Sequence, residues 1–192
     1  MEIQQLFVSL RPVFDSMAHI LLEPETLGAS ASIPVAADVV ASGDREMPEQ
    51  LRTRLQAIAA KSPVDDLGLS QSYAKLFLGV GKQTIPLCES AWTSAQHLLC
   101  QGAQLECKTS YEKAGLELAG DSVVPEDHLG LMFGFLAVMA LREDAATGLE
   151  FYKAHIATLT PAITQAIRER ETDAGAYLDV ADVLDGIAAI LS

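Results

Sequence analysis

Between His128 and Arg142 the chain runs Leu-Gly-Leu-Met-Phe-Gly-Phe-Leu-Ala-Val-Met-Ala-Leu without one charged side chain. Leu129, Leu131, Met132, Phe133, Phe135, Leu136, Val138, Met139 and Leu141 leave no polar face, and a helix apolar all round has to be buried. The stretch is too short to cross a bilayer, which takes about 20 residues. Its entrance reads Val124-Pro125-Glu126-Asp127-His128. Pro125 suits a first helical turn, where its missing N–H has no intrahelical partner and its φ is already helical. Glu126 and Asp127 then lie at the positive end of the helix dipole. The spacing predicts a buried helix from Pro125 to about Arg142, with Asp127 and His128 anchored to the rigid centre while staying near the surface. Gly130 and Gly134 read as places where another helix approaches closely.

Helical periodicity dominates the remainder, and no stretch alternates convincingly with period two. A first helix is predicted over Glu2–Leu22, kinked or split at Pro12. The Gly-, Ser- and Pro-rich stretch Glu23–Pro34 reads as a loop, followed by short helices near Val35–Ala41 and Pro48–Ala60. Pro63 opens another that carries Leu67, Tyr73, Leu76 and Phe77, and Gly79-Val80-Gly81 stops it. After a loop from Gly79 to Pro86 containing Lys82, helices fit Ser90–Cys100, Gln104–Leu118, Gly148–Leu159, Pro161–Arg170 and Ala174–Leu191. The expected fold is all-α, one helical bundle of about ten elements. Its length suits one domain with a sizeable core, and residues 1–62 could form a separable N-terminal lobe. Hinge-like loops there leave a monomer or a domain-swapped homodimer open.

The charge balance narrows the partners. Asp and Glu number 26 against 13 Lys and Arg, for a net −13. Phosphate binding demands a basic surface, so nucleic acid is excluded as a partner. The acids include Glu171, Asp173, Asp179, Asp182 and Asp185 near the C-terminus. They read either as solvating charge or as a field attracting a basic ligand. The N-terminal Met-Glu-Ile-Gln-Gln lacks the basic region of a signal peptide, so a cytoplasmic location without membrane insertion is expected. Cys88, Cys100 and Cys107 are odd in number, lack Cys-x-x-Cys spacing and read as thiols in a reducing compartment. With His19, His97, His128 and His155 scattered, no metal site and no cofactor are expected.

Several residues invite chemistry. Asp127 beside His128 suggests an acid–base pair, but neighbours on a helix diverge and cannot readily make the hydrogen bond that orients a general base. Ser90 is flanked by Glu89 and Ala91, not by the glycines of a nucleophile elbow. Gly79 and Gly81 lack the Gly-Lys-Ser/Thr of a phosphate loop. The chain is therefore expected not to be an enzyme. Asp127 as a helix cap and His128 as a bond to a neighbouring loop stand beside direct ligand contact. Phe77 reads as core. Trp92 either lines a groove or staples the Pro86–Ser90 loop to the core. Asp179, Asp182 and Asp185 read as a solvated stripe.

Three motifs in order resemble one family. Pro125-Glu-Asp-His-Leu129 before a hydrophobic helix resembles the Glu-Pro-x-Asp-His signature of the TorD/DmsD redox-enzyme chaperones. Tyr73-Ala-Lys-Leu76-Phe77-Leu-Gly79, then Pro86-Leu-Cys-Glu-Ser90-Ala-Trp92, is similar to that family's aromatic-x-x-Leu-Phe-x-Gly and Pro-x-x-x-Ser-x-aromatic stretches. Tyr111-Glu-Lys-Ala-Gly-Leu116 fits its Tyr-x-x-x-Gly-Leu. Val124 replaces the family's first glutamate. His155 matches the histidine of its His-x-x-x-Trp element, with Leu159 where the tryptophan would fall. The resemblance implies a chaperone that binds a molybdoenzyme precursor and its twin-arginine leader, assists cofactor insertion and delays export. It points to Tyr73, Pro86, Ser90, Trp92, Pro125, Glu126, Asp127 and His128 as the peptide-binding set. Leu76, Phe77, Gly79, Leu129 and His155 would be structural parts of the motifs. The carboxylates would pair with the leader's arginines, and a groove between helices would take the apolar segment behind them. A NarJ-like chaperone of a nitrate-reductase subunit, which need not read a leader, is the rival. A nucleotide hydrolase using Asp127 and His128 is the alternative from another class.

Overall fold

A computed structural model describes residues 3–26, 28–42, 49–60, 65–80, 83–94, 102–120 and 123–191. Glu2, Pro48, Pro63, Gly81, Lys82, His97 and Cys100, named above, lie outside the described residues. The elements are α1 (Ile3–Ser9), α2 (Arg11–Leu22), α3 (Ala29–Ala41), α4 (Glu49–Ala59), α5 (Asp66–Phe77) and α6 (Ser90–Thr93). They continue with α7 (Gly102–Lys113), α8 (Leu129–Leu141), α9 (Ala145–Phe151), a π turn (Tyr152–Ile156), α10 (Ala157–Arg168), α11 (Glu171–Ala174) and α12 (Tyr177–Leu191). The fold is all-α, and among the described residues the only β pairing is an isolated antiparallel bridge between Cys88 and His128. None of the described helices is long and apolar enough to cross a membrane.

The centre is α8, and α2 lies along it in the most extensive contact among the described helices. Gly130 permits this approach: a Cβ there would lie 2.6 Å from Leu22 Cγ. Gly134 is looser, its Cβ position 3.9 Å from Ala18 Cβ. Phe7, Phe14 and Phe133 stack in a chain of ring contacts from α1 through α2 to α8. On the opposite side Tyr177 of α12 donates its buried hydroxyl to Ile20 O at 3.0 Å. The N-terminal helices and the C-terminal half thus share one continuous core.

Several boundaries depart from the periodicity. The first helix does split: α1 ends at Ser9, and Pro12 falls in the first turn of α2, where its missing N–H costs nothing. The expected loop Glu23–Pro34 is helical from Ala29 onward, with Pro34 inside α3. The reason is a cap supplied from elsewhere. The Asp66 carboxylate accepts from Gly28 N–H at 2.9 Å and Ser30 N–H at 3.2 Å, and these hydrogen bonds lower its pKa. α5 begins under Asp65, which accepts from Gly68 N–H at 2.7 Å, and ends before Gly79 at φ +74°. Arg170 then holds that end by donating to the carbonyls of Lys75 and, at 2.8 Å, Gln83.

The helix expected over Ser90–Cys100 is broken after Thr93, and residues 95–100 of that expectation lie outside the described residues. That predicted over Gln104–Leu118 stops at Lys113, ahead of Gly115 at φ +70°. Pro161 does not separate two helices either. α9 passes through the π turn into α10, which carries Pro161 in its interior. The acidic stripe on α12 is only partly a solvated face, because Arg168 of α10 bridges Asp182 and Asp185 at 2.9 Å each.

Candidate functional site

The signature segments meet where two loops cross. Leu129 N–H donates to Leu87 O at 2.8 Å and Glu89 N–H to Asp127 O at 3.0 Å, which sets Cys88 opposite His128. This pairing corrects the expected start of the central helix. His128 is extended (φ −75°, ψ 130°) and forms the N-cap of α8, its Nδ1 accepting from Gly130 N–H at 3.2 Å. Residues 125–127 form a turn instead, closed by His128 N–H to Pro125 O at 3.0 Å. Pro125 and Glu126 are therefore outside the helix.

Asp127 departs furthest from expectation. It is 0% exposed, not near the surface. Its Oδ2 accepts from Ser90 N–H at 2.7 Å, at the start of α6, so it caps a helix in another segment. Its other oxygen, and the Ser90 hydroxyl, are buried with no hydrogen-bond partner among the described residues. Asp127 and His128 point to different partners, Ser90 N–H for one and Gly130 N–H for the other. Direct contact of a ligand with Asp127 or Ser90 would require the loops to part.

Beneath this crossing lies a second polar group that the sequence does not assemble by itself. Glu89, buried, meets His155 Nδ1 at 2.9 Å across two almost fully buried side chains. His155 is carried inward by the π turn and packs its ring 4.7 Å from Phe151. Cys107 of α7 completes the group, with donor atoms of Glu89, Cys107 and His155 all within 4.8 Å of one another. Burial, and then the Glu89 and Asp127 charges, push the Cys107 thiol far up. A thiol held protonated and unexposed is a poor nucleophile, so this Cys–His–Glu group is not arranged for covalent catalysis. One turn on, the Tyr111 hydroxyl donates to Glu126 O at 2.8 Å. Locally Glu89 is marked only as the one charge in the run Ile85–Ala91, and nothing beside it names His155 or Cys107 as its neighbour.

Outside the crossing, the expected set divides between two clefts. Tyr73, Pro86 and His128 line an open groove of about 380 Å³, together with Phe77, Leu78, Ile85 and Leu87. Tyr73 is held by its hydroxyl, which donates to Leu21 O at 3.2 Å, and by ring contact with Phe77 at 5.1 Å. Trp92 does not line this groove. Its indole N–H donates to Pro86 O at 2.9 Å, stapling the loop that forms one wall. Leu76 and Leu129 are fully buried behind it. Burial lowers the His128 pKa to about 4, against a smaller opposing pull from Asp127. The ring is thus neutral near pH 7, and with Nδ1 accepting, Nε2 carries the proton. It offers the groove a donor without charge. Pro125 and Glu126 face a different cleft of about 530 Å³, with Tyr111, Glu112 and Glu117.

The site is thus a buried polar crossing that joins two loops, flanked by a largely apolar groove and by a cleft with three glutamates and Lys108. The family model described as "Nitrate reductase delta subunit" matches residues 40–169, a span that contains the crossing and both clefts. The chain belongs to the nitrate reductase delta subunit family, whose members are molybdoenzyme-maturation chaperones. No curated protein and no solved structure matches it.

Proposed function

We propose that this chain is a NarJ-like maturation chaperone. It binds the apo form of a nitrate-reductase-type catalytic subunit in the cytoplasm and holds it until the molybdenum cofactor is inserted. An apolar client segment seats in the groove beside Tyr73, Leu78, Pro86 and His128. The observation that carries this reading is the convergence of Tyr73, Pro86 and His128 on an open, largely apolar groove to which His128 brings an uncharged imidazole. Such a groove suits an extended or helical apolar segment, with the donor free to meet a peptide carbonyl. The family match supports the same reading. A chain that turns over no substrate is consistent with its Cys–His–Glu and Asp–His groups, which are buried or divergent.

Capture of a twin-arginine leader is the second reading, favoured by Glu112, Glu117 and Glu126 around the neighbouring cleft. Calorimetric titration separates the two. The apo catalytic subunit of the chain's own nitrate reductase is one titrant, and synthetic twin-arginine leaders with twin-lysine controls are the other. Binding of the apo subunit that survives added salt and weakens in Leu78→Asp supports the groove reading. Leader binding that weakens both with salt and on the lysine swap would replace it with arginine capture, because lysine keeps the charge but loses the planar fork.

A further inference from the structure

We propose that Glu89, Cys107 and His155 form a binding site for one divalent transition-metal ion of the zinc class. This inference is independent of the client-binding reading. Three observations carry it. First, one carboxylate oxygen, one thiol sulfur and one imidazole nitrogen lie within 4.8 Å of one another, all three residues buried. In a tetrahedral zinc site, with bonds of about 2.0–2.3 Å, ligand atoms stand roughly 3.3–3.7 Å apart. The Glu89–His155 contact at 2.9 Å therefore needs to widen by only a few tenths of an ångström, while Cys107 draws in.

Second, a further buried carboxylate stands beside the group. Asp127 is joined to Glu89 through its main-chain carbonyl, and its carboxylate is wholly buried with Oδ1 unpartnered among the described residues. His155 is the one ion-pair partner of Glu89 found among those residues. A cation between Glu89 and Cys107 offsets that charge and ionises the thiol, since a coordinated thiol loses its proton. The fourth ligand is then a water. Third, His155 reaches the group from a π turn. Such turns inside α-helices are uncommon and recur at functional sites. His155 also borders an open cleft of about 520 Å³ beside Ala154 and Glu150, so one ligand of the group lies next to solvent-filled space.

The donor set decides the metal class. Thiolate plus imidazole plus one carboxylate selects zinc and its neighbours over magnesium or calcium, which take oxygen ligands. The three ligands come from the loop before α6, from α7 and from the π turn, so the ion would cross-link segments distant in sequence. Its role would be structural, fixing the floor on which the two signature loops cross.

The test uses the full chain, untagged, stripped by chelator and titrated anaerobically with cobalt(II), then competed with zinc(II). The expected result is one equivalent of cobalt with tetrahedral visible bands and a near-ultraviolet thiolate-to-cobalt band. Zinc displaces it, and the midpoint of thermal unfolding rises with either metal. The band persists in the Cys88→Ser/Cys100→Ser double variant, where Cys107 is the remaining thiol, and disappears in Cys107→Ser. Absence of the band in wild type or in the double variant overturns the proposal. So does a band untouched in a folded Cys107→Ser protein. The double variant leaves Cys107 in place, so the answer survives if Cys107→Ser fails to fold.

Discussion

The groove beside His128 and the cleft beside Glu126 are two residues apart in sequence and opposite in chemistry. One is walled by Tyr73, Phe77, Leu78, Ile85, Pro86 and Leu87, and the other by Glu112, Glu117 and Glu126 among others. Asp127 between them has no surface at all. The contrast teaches that an acidic signature can be a fastening rather than a lure. Its middle carboxylate spends its strength on Ser90 N–H, while the residues on either side turn to separate faces. Charge at the cleft can attract, but the groove carries no charged side chain and has to recognise by shape and by neutral polar groups such as His128 and Thr84.

The comparison breaks most severely at its shared residue. Asp127→Ala removes a buried charge-assisted hydrogen bond and leaves Ser90 N–H unpaired, for an expected loss of about 3 kcal/mol in denaturant unfolding. A variant as stable as wild type, but deficient in client binding, would return Asp127 to direct contact. His128 gives an effect of similar ceiling with a defined pH window. Its pKa is about 4 in the folded protein against an ordinary 6.5, so the unfolded state binds more protons between those values. Stability from this group is intact above pH 6.5 and falls as pH drops toward 4, by up to about 3 kcal/mol. Unfolding curves across that range should show the slope, and His128→Asn should flatten it.

Smaller changes sharpen the contrast between the faces. Leu78 is 64% exposed on the groove rim, so Leu78→Asp should change stability by under about 0.5 kcal/mol. It should still weaken client binding about tenfold by calorimetry, equivalent to roughly 1.4 kcal/mol. Glu117→Lys on the acidic cleft should have the least effect: stability within about 0.5 kcal/mol and unchanged affinity for an apolar client. Weakened binding of the apo subunit in Glu117→Lys, but not in Leu78→Asp, would move the client to the other face.

How much of this is legible in the sequence follows from range. The buried helix is plain because Leu129–Leu141 carries its own instruction, apolar on every side. Its start lies four residues beyond Pro125, where the local pattern puts it, because His128 must be extended to oppose Cys88, a partner forty residues away that no neighbouring residue announces. The same holds for α3. Gly28, Ser30 and Pro34 spell a loop until Asp66 of another helix caps the chain there. The motif resemblance groups Tyr73, Pro86 and His128, and these three do line one groove, whereas Asp127 and Ser90 of the same set lie inside the protein. Glu89 is silent as a site residue in the sequence. A lone glutamate in an apolar run gains meaning only when a π turn sixty-six residues later delivers His155.

One contact has a practical consequence for watching this molecule at work. The sequence holds a single tryptophan, and its indole N–H is clipped to the Pro86 carbonyl in the wall of the groove. When the protein is excited at wavelengths beyond the absorption of its four tyrosines, its intrinsic fluorescence is therefore the signal of one loop. A guest pressing on Pro86 will alter the polarity and mobility around that ring, so emission colour and anisotropy become an unlabelled optical readout of occupancy, in real time and at the concentrations where chaperone and client meet.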